Sequence, residues 1–81
     1  MKKEQWDGIA AGDAVEVSEE DLEEMLDVLP PAFMGRSVKL MNGETVHAAY
    51  GFVEGADRIT AFFKRDGKFF AAGTNLFSRG H

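Results

Sequence analysis

Apolar residues between positions 18 and 29 recur at the spacing of one face of an α-helix. Four of them follow the pattern i, i+3, i+4, i+7 and form a single stripe: Leu22, Met25, Leu26 and Leu29. Ser18, before this stripe, is a favourable N-cap, and Asp21 three residues later completes a variant of the capping box. Pro30-Pro31 ends the helix, because a residue that precedes proline avoids the α conformation. The pattern therefore predicts a helix over residues 18–29.

The later part of the chain changes to the period-two alternation of β-strands. Four segments have this pattern: Val38–Met41, Glu44–Phe52, Arg58–Arg65 and Lys68–Thr74. The first two flank Asn42-Gly43 and the last two flank Asp66-Gly67, and both dipeptides favour two-residue type I′ hairpin turns. Residues 54–57 link the two hairpins. We therefore predict an α+β fold, in which one main helix packs on a four-stranded antiparallel sheet built of two hairpins.

The residues before the helix carry a weaker pattern. Trp6, Ile9 and Ala10 recur at i, i+3, i+4 and predict a short helix or turn that ends near Gly12, while residues 14–17 predict a brief extended segment. No repeat or long linker divides the 81 residues, so we expect one domain over 1–81. The predicted core combines the helix stripe with three strand positions: Leu22, Met25, Leu26, Leu29, Val38, Phe63 and Phe70.

The second predicted hairpin is apolar on both of its faces. Behind the face that holds Phe63 and Phe70, three further residues form a second apolar face: Phe62, Phe69 and Ala71. A small antiparallel sheet ordinarily keeps one face polar, and a single helix covers only one face. The second face therefore needs a cover, either the Trp6 segment or a second protein molecule. We expect a homodimer through this face, since a two-fold arrangement is the commonest way to bury it.

Composition narrows the setting in which the chain acts. The chain contains no cysteine, which excludes disulfides, thiolate nucleophiles and cysteine-based zinc sites and fits a reducing cytoplasm. No apolar run approaches the roughly 20 residues of a membrane span, and Met1-Lys2-Lys3 is not followed by the apolar core of a signal peptide. We therefore expect a soluble cytoplasmic protein that does not bind membranes.

Charge divides the chain into two unequal parts. Residues 1–31 hold ten acidic and two basic side chains, a net charge of −8, whereas residues 32–81 hold four acidic and seven basic side chains, a net charge of +3. Five of the acids project from the predicted helix, away from its apolar stripe: Glu19, Glu20, Glu23, Glu24 and Asp27. This acidic face is either a solvated surface or a docking face for an Arg- and Lys-rich groove of a partner.

Basic residues gather at the tip of the second hairpin. Lys64, Arg65 and Lys68 flank its turn and stand beside Phe62 and Phe69. Basic side chains interleaved with aromatic rings are typical of surfaces that hold single-stranded nucleic acid. The net charge of −5, however, opposes long-range attraction of phosphates. Direct nucleic-acid binding through this tip is therefore the alternative to the acidic face.

No combination of residues predicts catalysis or a cofactor. His47 follows Glu44 by three residues, but on a strand this odd separation points the two side chains to opposite faces, so they do not share a metal ion. The serines have no base beside them in the sequence, and no glycine-rich phosphate-binding loop is present. We expect no catalytic residue, no metal and no cofactor, and a protein that acts by binding rather than as an enzyme.

The stretch from Trp6 to Met34 resembles a family of short proteins of unknown function carried by plasmids, prophages and related mobile elements of proteobacteria. The shared features are a Trp near the start, a Gly before a short strand, and a helix that ends Leu-x-x-Leu-Pro-Pro with a Met soon after: Trp6, Gly12, Leu26, Leu29, Pro30, Pro31 and Met34. The helix positions that are aromatic in that family are Leu22 and Glu23 here. The resemblance implies a mobile-element protein and no established activity.

Small size, an acidic face and a mobile-element setting are also similar to those of anti-CRISPR proteins, compact inhibitors that keep a surveillance complex from its DNA. We therefore expect a small acidic interaction protein, a phage- or plasmid-encoded inhibitor that occupies a basic nucleic-acid-binding surface of a host protein or ribonucleoprotein complex. The alternative is a small homodimeric accessory or regulatory domain of a mobile element that touches nucleic acid through the basic hairpin tip.

Overall fold

Two helices and a five-stranded antiparallel sheet make up the computed structural model, which describes residues 1–53 and 58–74. The elements in chain order are α1 (Lys3–Ala10), β1 (Val15–Val17), α2 (Glu19–Val28), β2 (Phe33–Lys39), β3 (Thr45–Val53), β4 (Ile59–Arg65) and β5 (Lys68–Thr74). The strands are ordered β1-β5-β4-β3-β2. The α+β class is confirmed, but the sheet has five strands instead of the predicted four, and α1 shares the covering of the sheet with α2.

The additional strand, β1, comes from the segment predicted to be extended over residues 14–17. Val15 pairs with Ala71 and Val17 pairs with Phe69, so β1 lies along the edge of β5. Three residues contain too little alternation to predict which strand they pair with. The position of β1 in the sheet depends instead on β5, its partner strand. The predicted link over residues 54–57 lies outside the described residues.

Both helices lie on one face of the sheet. Ser18 is the N-cap of α2 and Leu29 is its C-cap, so the helix predicted over 18–29 is confirmed. The short helix predicted around Trp6 is confirmed as α1. Beneath the two helices is a cluster that we call the helix-side core: Ile9, Val17, Leu22, Phe52, Phe62 and Ala71.

The apolar face predicted to form a homodimer is covered within the chain. Phe62 and Ala71 have no exposed surface, and Phe69 is half-buried against the helix-side core. Phe62 meets Phe52 edge-to-face, with 5.6 Å between the ring centroids. Trp6 on α1 also packs against this cluster, so the Trp6 segment supplies the cover. Phe62 and Ala71 therefore belong to the core, and a homodimer, which stays a prediction, would have to use another surface.

The opposite face is enclosed by the sheet itself, which rolls up until the end of β2 reaches β5. Leu40 forms an isolated bridge with Thr74, although β3 and β4 lie between their strands in the sheet. The Met41 N–H donates to the Gly73 carbonyl at 3.0 Å, and the Thr74 hydroxyl donates to the Lys39 carbonyl at 2.7 Å. The partly closed barrel surrounds an inner core: Val38, Leu40, Val46, Ala48, Ala61, Phe63 and Ala72.

Irregularities in β2 and β3 accompany this closure. The pairing of β3 with β4 shifts register between Ala48 and Tyr50, which is the signature of a β-bulge. Ala48 consequently faces the inner core, whereas Tyr50 faces the helices. On β2, Gly35 has a φ of +58°, in the left-handed region that favours glycine. A strict period-two pattern assigns the wrong face beyond such a bulge.

The two hairpin turns differ from each other. Asp66 and Gly67 have φ values of 55° and 76°, and a type I′ turn requires positive φ at both positions, so this prediction is confirmed. In the first hairpin Gly43, with a φ of 96°, donates its N–H to the Leu40 carbonyl at 2.9 Å. The loop there has three residues, and the predicted two-residue turn is wrong because Met41 bonds to β5 and not to β3.

Burial of the apolar stripe falls along α2. Leu22 is 5% exposed, Leu26 is 37% exposed and Leu29 is 41% exposed. Of the other predicted core residues, Val38 and Phe63 are buried, and Met25 and Phe70 are half-buried. The core prediction is therefore wrong for Leu26 and Leu29, because only the first half of the stripe is covered. Phe63 lies in the inner core and not beneath the main helix.

Candidate protein-binding surface on the second helix

Capping fixes where α2 begins and how its first side chains point. The Asp21 N–H donates to Ser18 Oγ at 3.0 Å, and the Ser18 N–H donates to Asp21 Oδ2 at 3.0 Å. The Gln5 side chain of α1 donates to the same carboxylate at 3.4 Å. The Ser18 backbone N–H, helped by the Gln5 side chain, holds the pKa of Asp21 below its usual value. Asp21 is thus part of the cap and not of the acidic face.

The acidic face lies on the solvent side of α2, and all five of its predicted members are exposed: Glu19, Glu20, Glu23, Glu24 and Asp27. Glu24 lies 3.4 Å from the Met1 ammonium. Within residues 1–53 and 58–74, no Lys or Arg side chain forms an ion pair with any of the five. α2 itself carries no basic residue. Among the described residues, the Met1 ammonium beside Glu24 is thus the one cation paired with this face, which is otherwise a negative surface without Lys or Arg partners.

The arrangement of these carboxylates opposes the stability of the helix. Glu19 and Glu23, Glu20 and Glu24, and Glu23 and Asp27 are like-charge pairs at i,i+4, each unfavourable by about 0.2–0.5 kcal/mol. Asp27 also lies in the last turn, where the helix dipole favours a cation. A surface of this kind attracts cationic partners over a distance, more strongly at low salt.

The C-terminal half of α2 exposes apolar side chains beside the acidic face. We call this surface the α2 apolar end, and its members are Leu26, Val28, Leu29 and Met34. Val28 is 73% exposed and Met34 is 66% exposed. Met34 pairs with Tyr50, which packs against the helix-side core, so Met34 lies on the face of the sheet that the helices cover. The hydrophobic spacing of α2 predicts burial for Leu26 and Leu29 and therefore does not reveal this surface. Val28, an apolar residue outside the stripe, is the one residue in the sequence that indicates it.

The three basic residues at the tip of the second hairpin are exposed: Lys64, Arg65 and Lys68. Two of them contact neighbouring side chains. The Arg65 guanidinium lies 5.3 Å from the centroid of the Phe63 ring and 3.4 Å from the Glu44 carboxylate. Lys64 Nζ lies 5.5 Å from the centroid of the Phe69 ring. Phe63 is buried and so is not open for base stacking, whereas Phe69 is half-buried, with Lys64 over its ring. Nucleic-acid binding through this tip stays a prediction.

His47 lies exposed on β3, opposite Ser37 of β2. The Glu44 carboxylate points instead toward Arg65. In the part of the chain that the structure describes, no three or more His, Asp or Glu side chains are grouped in a way that could hold a metal ion.

A shallow cleft of roughly 470 Å³ lies where α1, β1 and the start of α2 meet. Several of its polar groups already bond to one another. Gln5 Nε2 donates to the Glu16 carbonyl at 3.2 Å and to Asp21 at 3.4 Å, and the Lys2 N–H donates to the Gln5 side chain at 2.6 Å. A ligand in this cleft would have to displace internal hydrogen bonds, so the exposed surface of α2 is the stronger candidate site.

No protein-family model, no curated protein and no solved structure matches this chain. Over residues 1–53 and 58–74, neither helix has the length and apolar content needed to cross a membrane.

Proposed function

We propose that the protein is a small acidic inhibitor, encoded by a phage or plasmid, that uses α2 to occupy a basic nucleic-acid-binding surface of a host complex. The observation that carries this proposal is the row of exposed carboxylates, none of which pairs with a Lys or Arg among the described residues. A helix shaped only for stability ordinarily intersperses Lys among such acids. The like charges destabilise the free helix, but their interaction becomes favourable when a cationic partner binds opposite them.

The spacing of the carboxylates supports competition with nucleic acid. Glu19 and Asp27 are eight residues apart, which is about 12 Å along the helix axis. Five carboxylates over this length give one negative charge per about 3 Å, close to one phosphate per about 3.4 Å along a DNA strand. A capped helix packed on a sheet also presents these charges with little loss of conformational entropy on binding.

The partner that fits this surface is an RNA-guided CRISPR effector. Such effectors hold their heteroduplex in a positively charged channel that recognises the shape and the backbone of the nucleic acid instead of its bases. A helix with a similar line charge can occupy such a channel without reading a sequence. The role requires no catalytic residue, metal or cofactor, and a chain without cysteine is compatible with the reducing cytoplasm in which we place it.

Inhibition of target-DNA cleavage tests the proposal. Purified CRISPR effectors of the main types, each loaded with guide RNA, are incubated with the protein, and the cleavage rate is measured. We expect the wild type to inhibit at least one of them. Glu23→Lys combined with Asp27→Lys should remove that inhibition, because it reverses adjacent charges of the acidic face.

The matched control is Asp13→Lys combined with Glu16→Lys, which makes the same change in net charge at exposed positions outside α2. This control should inhibit as the wild type does. Loss of inhibition in both double variants would assign the effect to net charge alone and would contradict a site on α2. An absence of inhibition across the effector types would contradict the proposed function.

A further inference from the structure

We infer that the α2 apolar end is a docking site for a basic amphipathic helix of the partner protein. The inference rests on the proposed function in one respect, namely that α2 is the binding element. It adds the chemical class of the surface that α2 recognises: a protein helix with apolar residues on one side and Lys or Arg beside them.

The exposure of the α2 apolar end is the first observation. Leu26, Val28, Leu29 and Met34 are 37%, 73%, 41% and 66% exposed. Together they present on the order of 400 Å² of apolar surface, the size at which patches on monomeric proteins are often functional. Leu26 and Val28 lie in the last turn of α2 on different sides of the helix, Leu29 is its C-cap, and Met34 follows after a short connection through Pro30-Pro31.

The borders of this patch have opposite character. On one side Glu23 and Leu26 are i,i+3 neighbours, and Asp27 lies four residues after Glu23, so part of the acidic face runs along the patch. On the other side the patch meets the sheet, where half-buried Tyr50 is the cross-strand partner of Met34. An occupant therefore meets apolar atoms and a row of carboxylates at the same time.

Charge and area decide which occupant fits. A second copy docked about a two-fold axis at this patch would set Glu23 and Asp27 near their own counterparts, and like charges facing each other across an interface cost several kcal/mol. A patch of about 400 Å² is also only half of the roughly 800 Å² that each partner contributes to a stable interface. A short helix with apolar anchors at i, i+3, i+4 and flanking cations satisfies both limits.

Methionine methyl groups give a site-resolved test, because the chain has four methionines. Met34 belongs to the patch, and half-buried Met25 directly precedes Leu26. Met41, 44% exposed in the β2–β3 turn, lies elsewhere and packs against Gly73 of β5. The methyl-labelled protein is titrated with an amphipathic Leu/Lys peptide, with a peptide of the same composition in scrambled order, and with a peptide that has Ser in place of each Leu. The amphipathic peptide should shift the signals of Met34 and Met25 but not that of Met41.

The affinities for the three peptides separate this inference from the proposed function. The amphipathic peptide should bind at least about tenfold more tightly than the other two. If the Ser peptide binds as tightly, α2 acts by charge alone, so the docking inference fails while the proposed function survives. If no peptide binds, the docking inference fails, and the effector assay judges the proposed function separately.

Substitutions in the patch complete the test. Leu26→Ser combined with Leu29→Ser should abolish the preference for the amphipathic peptide, with the fold checked by far-UV circular dichroism. Met34→Gln, at a position 66% exposed, should reduce the same preference without any effect on the packing of α2. Val53→Ser, at a position 48% exposed on β3, is the control and should retain the preference.

Two results would overturn the inference through these variants. Unchanged peptide preference in both patch variants would place the docking site elsewhere. A dimeric mass in light scattering that the paired Leu26 and Leu29 substitutions convert to the monomeric mass would identify a second copy of the chain as the occupant.

Discussion

Phe62 is the residue whose replacement most sharply tests the helix-side core. Its ring has no exposed surface and contacts Phe52 edge-to-face at 5.6 Å. Truncation of a buried Phe to Ala costs about 3–5 kcal/mol, which is much of the ~4–12 kcal/mol expected for a chain of 81 residues. Phe62→Leu keeps most of the apolar volume but loses the ring pair and leaves a small cavity. We expect it to lower the free energy of unfolding by about 1.5–2.5 kcal/mol.

Urea unfolding followed by tryptophan fluorescence measures this loss. Trp6 is the single tryptophan of the chain and packs, half-buried, against the helix-side core, so its emission reports the docking of α1. With a urea m-value of about 1 kcal/mol/M, Phe62→Leu should lower the midpoint by about 1.5–2.5 M. Phe70→Leu makes the same change at a half-buried position beside the inner core and should lower the midpoint by less than half as much.

Protein concentration distinguishes a core residue from an interface residue. Because Phe62 packs within one chain, the wild-type midpoint should be the same at about 1 and about 100 μM protein, as mass action requires for a monomeric transition. A wild-type midpoint that rises with concentration, and that loses this dependence in Phe62→Leu, would place Phe62 between two copies. That result would refute the covering of this face by α1 and α2.

Three further substitutions test local features of the fold. Ser18→Ala removes the N-cap of α2 and should lower the free energy of unfolding in urea by about 1 kcal/mol. The Ser18 N–H is the largest cause of the lowered pKa of Asp21. The ionised Asp21 carboxylate therefore stabilises the fold at pH values above its unfolded-state pKa, and this stabilisation is lost as the pH falls through the lower folded-state pKa. Asp21→Asn should therefore flatten the fall of the thermal midpoint below about pH 4. A Cβ at Gly51 would clash with the ring of Phe33, so Gly51→Ala should cost about 1–3 kcal/mol, and additivity with Phe33→Leu in a double-mutant cycle would contradict this contact.

α2 and the β4–β5 hairpin could be predicted from the sequence because their determinants are local. The reciprocal bonds between Ser18 and Asp21 join residues three apart, and the type I′ turn is specified by two adjacent residues, Asp66 and Gly67. The first turn could not be predicted in the same way. Its Met41 bonds to Gly73 on β5, and no local pattern specifies a contact between segments so distant in the chain.

The assignment of faces failed for a related reason. The register shift between Ala48 and Tyr50 turns successive parts of β3 toward different cores, and it leaves no mark in the hydrophobic pattern. On β4 and β5 the period-two pattern separates Phe62 from Phe63 correctly, but it does not say which face the helices cover, so it placed Phe63 beneath the main helix and left Phe62 uncovered. For the candidate site, the pattern of charges predicted the acidic face as an exposed surface. The helical spacing of apolar residues assigned Leu26 and Leu29 to the core, because this spacing does not reveal where a helix extends beyond its sheet.

Competition with target DNA tests the central claim most directly, because the claim is that α2 occupies the nucleic-acid channel of a host effector. An effector that the protein inhibits is immobilised with its guide RNA, and the binding affinity is measured before and after target DNA fills the channel. We predict binding to the DNA-free effector only. Glu23→Lys with Asp27→Lys should weaken that binding by about a hundredfold, since each lost charge pair is worth about 1.5 kcal/mol or more. Equal affinity for the free and the DNA-loaded effector, or equal affinity of the wild type and the charge-reversed variant, would contradict the account.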